Sequence, residues 1–68
     1  MNMLELVKLF PYYASKSDAE RYEKIRNAAL ALAAVIVENT PQSADQTAAI
    51  RKVREAVMTA NAAIAVNE

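Results

Sequence analysis

The fold is decided by the stretch TPQSADQ, residues 40–46, which interrupts two long amphipathic segments. Its first three residues form a turn, because the residue before Pro41 is pushed out of the α region. Ser43 and Gln46 have the spacing of a capping box, in which the N-cap and N3 side chains each satisfy a backbone N–H group. A helix is therefore predicted to begin at residue 43, directly after a turn at 40–42.

The segments on both sides of this turn have helical periodicity. The downstream segment predicts a helix over 43–66, and its apolar residues keep coiled-coil spacing: Ile50, Val53, Val57, Ala60 and Ile64. Upstream, a second capping box from Ser17 to Glu20 predicts a helix over 17–39. Because the two helices have similar lengths and a short connector, we expect them to lie antiparallel.

The N-terminal segment is short and apolar. The stretch MLELVKL, residues 3–9, predicts a short helix over 2–9 that ends before Pro11. The stretch FPYYASK, residues 10–16, then forms a non-helical connector. We expect one helical-hairpin domain over residues 1–68.

The upstream helix has a wider apolar face than one partner helix needs. Its apolar residues form two adjacent stripes, one of Tyr22, Ile25, Ala29, Leu32 and Ile36, the other of Leu30, Ala33 and Val37. The second stripe implies a second contact surface. A 68-residue chain without Cys or His lacks disulfides and the usual zinc ligands, so association is the remaining way to supplement a small core. The expected fold class is all-α: a short N-terminal helix plus an antiparallel two-helix hairpin, assembling into a compact homo-oligomeric helical bundle.

Composition excludes several classes of function. The formal net charge is zero, which disfavours duplex nucleic acid as a partner. The absence of Gly excludes Gly-rich phosphate loops, and the absence of His and Cys leaves no obvious catalytic set. The longest apolar run, residues 28–37, is too short to span a membrane, and no signal peptide is recognised. We therefore predict no enzymatic activity, no cofactor, no metal and no membrane association.

An aromatic cluster lies in the connector. Phe10, Tyr12 and Tyr13 fall within four residues. They are interpreted first as a plug over the open end of the hairpin, since aromatic side chains mostly serve burial. The alternative is a stacking platform for a nucleotide base, worth about 1–3 kcal/mol per base.

A cationic group follows the aromatic cluster and comprises Lys16, Arg21, Lys24 and Arg26. Mixed charges of this kind usually form a solvated helix start. Arg26, however, borders the apolar face beside Tyr22 and Leu30, where a partly desolvated guanidinium could bind phosphate in a bidentate manner.

Two further features lie in the last helix. The stretch RKVR, residues 51–54, is interpreted as a solvated face, with pairing to Glu55 or Glu38 of another subunit as the second choice. Asn61, between alanines, could set register through a buried hydrogen bond.

The order of several segments is distinctive over about residues 10–65. They are FPY at 10–12, RYEKIR at 21–26, Leu32-Ala33 with Ile36, TPQS at 40–43 and EAVMTANAAIA at 55–65. The last segment is the most specific, because an amphipathic helix does not by itself require these residues in this order. Together they resemble the small phage anti-CBASS sponge family, which shares a helical-hairpin domain with an anti-Thoeris sponge.

The resemblance implies a homohexamer that binds cyclic dinucleotide second messengers, such as cyclic GMP–AMP. Such a protein would hide them, uncleaved, from the bacterial defence effector, in the cytoplasm of the infected host. The alternative is a structural or protein-interaction helical module with no nucleotide ligand, whose second stripe receives a partner helix.

The resemblance also implies site residues. In the family, a connector tyrosine stacks on a base and a basic residue early in the long helix meets the phosphates. Tyr12 and Arg26 are similar to these residues, while Tyr13 and Lys24 are rival choices and Lys16 is a further candidate. Many relatives have Trp and Arg where this chain has Thr59 and Val66. A second pocket, for cyclic trinucleotides, lies partly near that helix end, where Val66 cannot supply a cation.

Overall fold

The computed structural model describes residues 2–10 and 19–67. Within these ranges the chain forms three helices, α1 (Met3–Leu9), α2 (Ala19–Asn39) and α3 (Ala44–Asn67). The longest dimension of the molecule is 39 Å, close to the length of α3 alone at about 1.5 Å per residue. Since α2 and α3 pack together and are joined by residues 40–43, they lie antiparallel. The predicted all-α class, with a short N-terminal helix before two packed long helices, is confirmed.

The turn between α2 and α3 corrects one detail of the second capping box. The Ser43 hydroxyl accepts a hydrogen bond from the Gln46 backbone N–H at 3.1 Å, as predicted for an N-cap. The return bond of the box, from the Ser43 backbone N–H to the Gln46 side-chain oxygen, is not formed among the described residues. The Gln46 amide nitrogen donates to the carbonyl and hydroxyl oxygens of Thr40, each at 3.1 Å. Unpaired carbonyls at the end of α2 need donors, and the buried Gln46 side chain supplies one. The first capping box depends on Ser17, which lies outside the described residues.

The inner face of α3 follows the predicted spacing. Ile50, Val57 and Ile64 are buried, and Val53 and Ala60 are half-buried. These side chains recur every three or four residues, so they share one side of the helix and meet α2 along its length.

α1 covers part of the face that we expected to be left for another subunit. Its Leu6, together with Phe10 just after it, joins Ala33 of α2 in the core, and each of the three is at most 2% exposed. Ala33 of the second stripe is therefore covered within the chain, while Leu30 and Val37 of that stripe are half-buried. Leu32, from the first stripe, is 51% exposed. Residues 2–10 thus supply part of the second contact surface that the two stripes predicted, and a contact with another subunit stays a prediction.

Candidate functional site

Phe10 fixes the point at which the aromatic connector begins. Its side chain is 1% exposed and packs in the core with Leu6. Its backbone N–H donates to the Val7 carbonyl at 3.2 Å, which closes the last turn of α1. Phe10 therefore serves burial, as expected for an aromatic side chain, while a plug over the open end of the hairpin stays a prediction.

Arg26 links α2 to that same residue. Its Nε donates a hydrogen bond to the Phe10 carbonyl oxygen at 2.8 Å, across sixteen positions of sequence. Its Nη1 donates to the Asn27 side-chain oxygen at 3.0 Å. A guanidinium has five N–H donors, and after these two bonds the other three have no partner among the described residues. Arg26 is half-buried beside Phe10, the first residue of the connector, which is called the connector root below. Its unbonded N–H groups could donate hydrogen bonds to an anion.

Lys24 has a different environment from Arg26. Its ammonium group pairs with the Glu20 carboxylate at 3.4 Å, one helical turn away, and both side chains are more than three-quarters exposed. A solvent-exposed i,i+4 pair of this kind contributes only about 0.3–0.5 kcal/mol. Lys24 is therefore a solvated residue in the chain as described, whereas Arg26 contacts the connector root.

The other predicted site residues, Tyr12, Tyr13 and Lys16, lie outside the described residues. The structure thus brings together Arg26 and the first residue of the connector. Sequence reasoning missed Asn27 and the Phe10 carbonyl as partners of Arg26. No periodic signal marks either, because one is a neighbour on the helix and the other a backbone atom.

Comparison with known proteins identifies the family. The family model described as Acb2/Tad1, hairpin domain, matches residues 5–65. The chain belongs to the Acb2/Tad1 hairpin family. The resemblance drawn from the sequence is thereby confirmed. No curated protein and no solved structure shows significant similarity to the chain.

Membership in the Acb2/Tad1 hairpin family carries a functional implication at the level of the family. It implies a nucleotide sponge that binds cyclic nucleotides, and its members are typically binders without catalytic activity. In residues 2–10 and 19–67 no group of carboxylates is arranged to hold a metal ion. No helix in the described part is long and apolar enough to cross a membrane.

The Acb2/Tad1 hairpin of this chain has an open apolar groove between its long helices. The groove has a volume of about 480 Å³. Its lining comprises Ile25, Ala28, Ala29 and Leu32 of α2 and Lys52, Val53, Ala56, Val57 and Ala60 of α3. Small side chains make up much of this surface, so another helix could approach closely.

Asn61 of α3 has an unsatisfied polar atom. Its side-chain oxygen is inaccessible to solvent and has no hydrogen-bond partner among the described residues. A buried acceptor without a donor costs about 1–3 kcal/mol. The buried hydrogen bond expected for Asn61 is therefore not made among the described residues.

Proposed function

We propose that this Acb2/Tad1 hairpin protein is a phage-encoded inhibitor of bacterial CBASS immunity. It binds cyclic dinucleotides such as cyclic GMP–AMP and sequesters them without cleavage. The observation that carries the proposal is the Arg26–Phe10 hydrogen bond, which holds a half-buried guanidinium at the root of an aromatic connector. The place of action is the cytoplasm of the infected host, where a sponge must meet the messenger before the defence effector does.

The proposed site combines stacking with charge. Tyr12 stacks on a base, and Arg26 uses its remaining N–H groups on a phosphate. Tyr13, Lys16 and Lys24 are further ligand-binding candidates near the connector. Lys24 is the weakest of these, because its ammonium is paired and exposed.

A symmetric assembly would complete the site. A cyclic dinucleotide has two bases and two phosphates in an approximately two-fold arrangement, and an isologous interface presents each residue twice about a two-fold axis. One Tyr12 and one Arg26 per chain would then supply two stacking faces and two phosphate clamps.

The energetics require a rigid assembly. Nanomolar binding needs about −12 kcal/mol, and two base stacks at about 1–3 kcal/mol each supply only part of it. A scaffold that holds its side chains in place before binding lowers the ordering cost. The buried Phe10 and its bond to Arg26 contribute such order at the connector root.

The chain is proposed to assemble as a homo-oligomer, namely a hexamer. Two observations on the described residues support self-association: the open apolar groove, and the 51% exposure of Leu32, which lines it. A second copy packed across the groove would bury this apolar surface.

Calorimetry with cyclic GMP–AMP tests the proposed site. Wild type should bind with micromolar or tighter affinity. Tyr12→Ala should weaken binding at least tenfold, the effect of about 1.4 kcal/mol, whereas Tyr12→Phe keeps the ring and should bind like wild type. Equal affinities for wild type and Tyr12→Ala would remove Tyr12 from the site.

The apolar groove also favours a second candidate function. It could receive an amphipathic helix of another protein, as in helix-in-groove recognition. A protein-interaction module predicts no heat of binding with any cyclic dinucleotide. The same titration therefore separates the two functions.

A further inference from the structure

A small recess lies on the side of α3 that faces α1. It has a volume of about 200 Å³ and is lined by Leu9 of α1 and by Thr47, Ile50, Arg51 and Arg54 of α3. Leu9 is half-buried and Ile50 is 1% exposed, so these two side chains form an apolar wall. The recess shares no residue with the proposed cyclic-dinucleotide site.

The two arginines of the recess are unpaired neighbours. Arg51 and Arg54 are three positions apart, so their side chains lie on the same side of α3, where like charges destabilise the helix by a few tenths of a kcal/mol. Neither has a hydrogen-bond or ion-pair partner among the described residues. Glu55 stands four positions after Arg51, a spacing that brings two side chains together but in the less favourable order for an ion pair, and this pair is not formed among the described residues.

The remaining polar side chain of the recess, Thr47, already donates a hydrogen bond within the chain. The Thr47 hydroxyl donates to the Ser43 carbonyl oxygen at 3.2 Å, so it is not free to donate elsewhere. The donors available in the recess are thus the two guanidinium groups. Two guanidinium groups with unbonded N–H donors lie beside an apolar wall. An anion placed between them would accept these hydrogen bonds and offset both charges.

We propose that this recess binds a phosphate group. Two planar guanidinium groups match the oxygens of a tetrahedral oxyanion in a bidentate manner, and binding relieves the repulsion between Arg51 and Arg54. The apolar wall displaces water from one side of the anion, which strengthens the electrostatic attraction. The ligand is a free phosphate ion or the phosphate of a mononucleotide, since both present the same oxygens.

A phosphate titration followed by ¹H–¹⁵N NMR tests this proposal. The signals to follow are the Arg51 and Arg54 side-chain Nε–H groups and the Thr47 and Ile50 amides. In wild type, phosphate should shift them saturably, with half-saturation at about 1–10 mM, a weak affinity suited to a small exposed site. Chloride at matched ionic strength should not shift them in this way. Adenosine monophosphate at the same concentrations shows whether an esterified phosphate is also accepted.

Variants give the matched comparison. Arg51→Gln combined with Arg54→Gln should abolish the saturable shifts at Thr47 and Ile50 while the rest of the spectrum stays folded. Lys24→Gln removes an exposed charge of α2 that lies outside both the recess and the groove, and it should leave the half-saturation within about twofold of wild type. Arg26→Gln should also retain the response, so the result is independent of the cyclic-dinucleotide site. Equal shifts with chloride, or equal losses in Lys24→Gln and the double variant, would overturn the proposal.

Discussion

Arg26 has donors bonded within the chain and further donors that remain unbonded among the described residues. Its Nε holds the Phe10 carbonyl, and the N–H groups that remain unpaired face no acceptor in the described chain. A charged hydrogen bond contributes about 1.5–3 kcal/mol, and this one joins residues distant in sequence. In the proposed function, the same guanidinium therefore sets the connector root and binds phosphate.

Replacing Arg26 tests this double role. Arg26→Gln should weaken cyclic dinucleotide binding by about 10- to 100-fold, because a charged hydrogen bond of about 1.5–3 kcal/mol is lost. Arg26→Lys keeps the positive charge but lacks the planar guanidinium that can form two parallel hydrogen bonds. Its affinity for the cyclic dinucleotide should therefore fall between those of wild type and Arg26→Gln. Calorimetry measures the series, with Arg54→Gln, an exposed arginine outside the groove and outside the proposed nucleotide site, as the control of equal charge change. Unchanged binding in Arg26→Gln would exclude Arg26 from the site.

Gln46 shows how one buried polar residue stabilises the turn. Its amide donates to two oxygen atoms of Thr40 and is 5% exposed. Gln46→Ala should lower the free energy of unfolding by about 1–3 kcal/mol, since it removes two hydrogen bonds that contribute about 0.5–1.5 kcal/mol each. Gln42→Ala, in the same turn but exposed, should change it by less than about 0.5 kcal/mol. Urea unfolding of the two variants gives the comparison, and equal effects would contradict this role.

At the level of the element, α1 acts as a cover for the hairpin. Leu6 is 2% exposed, whereas Leu4 of the same helix is 65% exposed. Leu6→Ala should lower the free energy of unfolding by about 2–5 kcal/mol, the range for truncating a buried leucine. Leu4→Ala should have an effect of about 0.5 kcal/mol or less. Urea denaturation measures both, and similar losses in the two variants would mean that α1 does not pack as described.

The packed elements could be predicted to different extents. The inner face of α3 followed from spacing alone, because Ile50, Val57 and Ile64 recur at helical intervals and meet a single partner. The sequence could not show which face of α2 packs against α3 and which against α1, because both helices contact α2. Which stripe α1 covers depends on where Leu6 docks, and this is a tertiary contact without a local pattern.

The candidate site could be predicted in part for the same reason. The position of Arg26 at the border of the apolar face followed from periodicity. Its bond to the Phe10 carbonyl did not, because a backbone acceptor carries no sequence signal and lies sixteen residues away. The roles of Tyr12, Tyr13 and Lys16 remain predictions from the resemblance.

At the scale of the whole molecule, the open groove is the feature that one chain leaves incomplete. A charge placed in it should oppose self-association, because an unpaired buried charge is strongly unfavourable. Ala28→Glu, in the groove, should lower the particle mass measured by light scattering. Ala31→Glu makes the same change at an exposed position outside the groove lining and should leave the mass unchanged. Unaltered mass in Ala28→Glu would exclude the groove as the interface.

The central claim is that the protein holds a messenger and does not react with it. The most direct measurement is equilibrium dialysis against cyclic GMP–AMP, followed by heat denaturation and mass spectrometry of the released nucleotide. The account predicts loss of free nucleotide in proportion to protein, and complete recovery of the intact cyclic form after denaturation. Absence of uptake, or recovery of a linear or hydrolysed product, would contradict it.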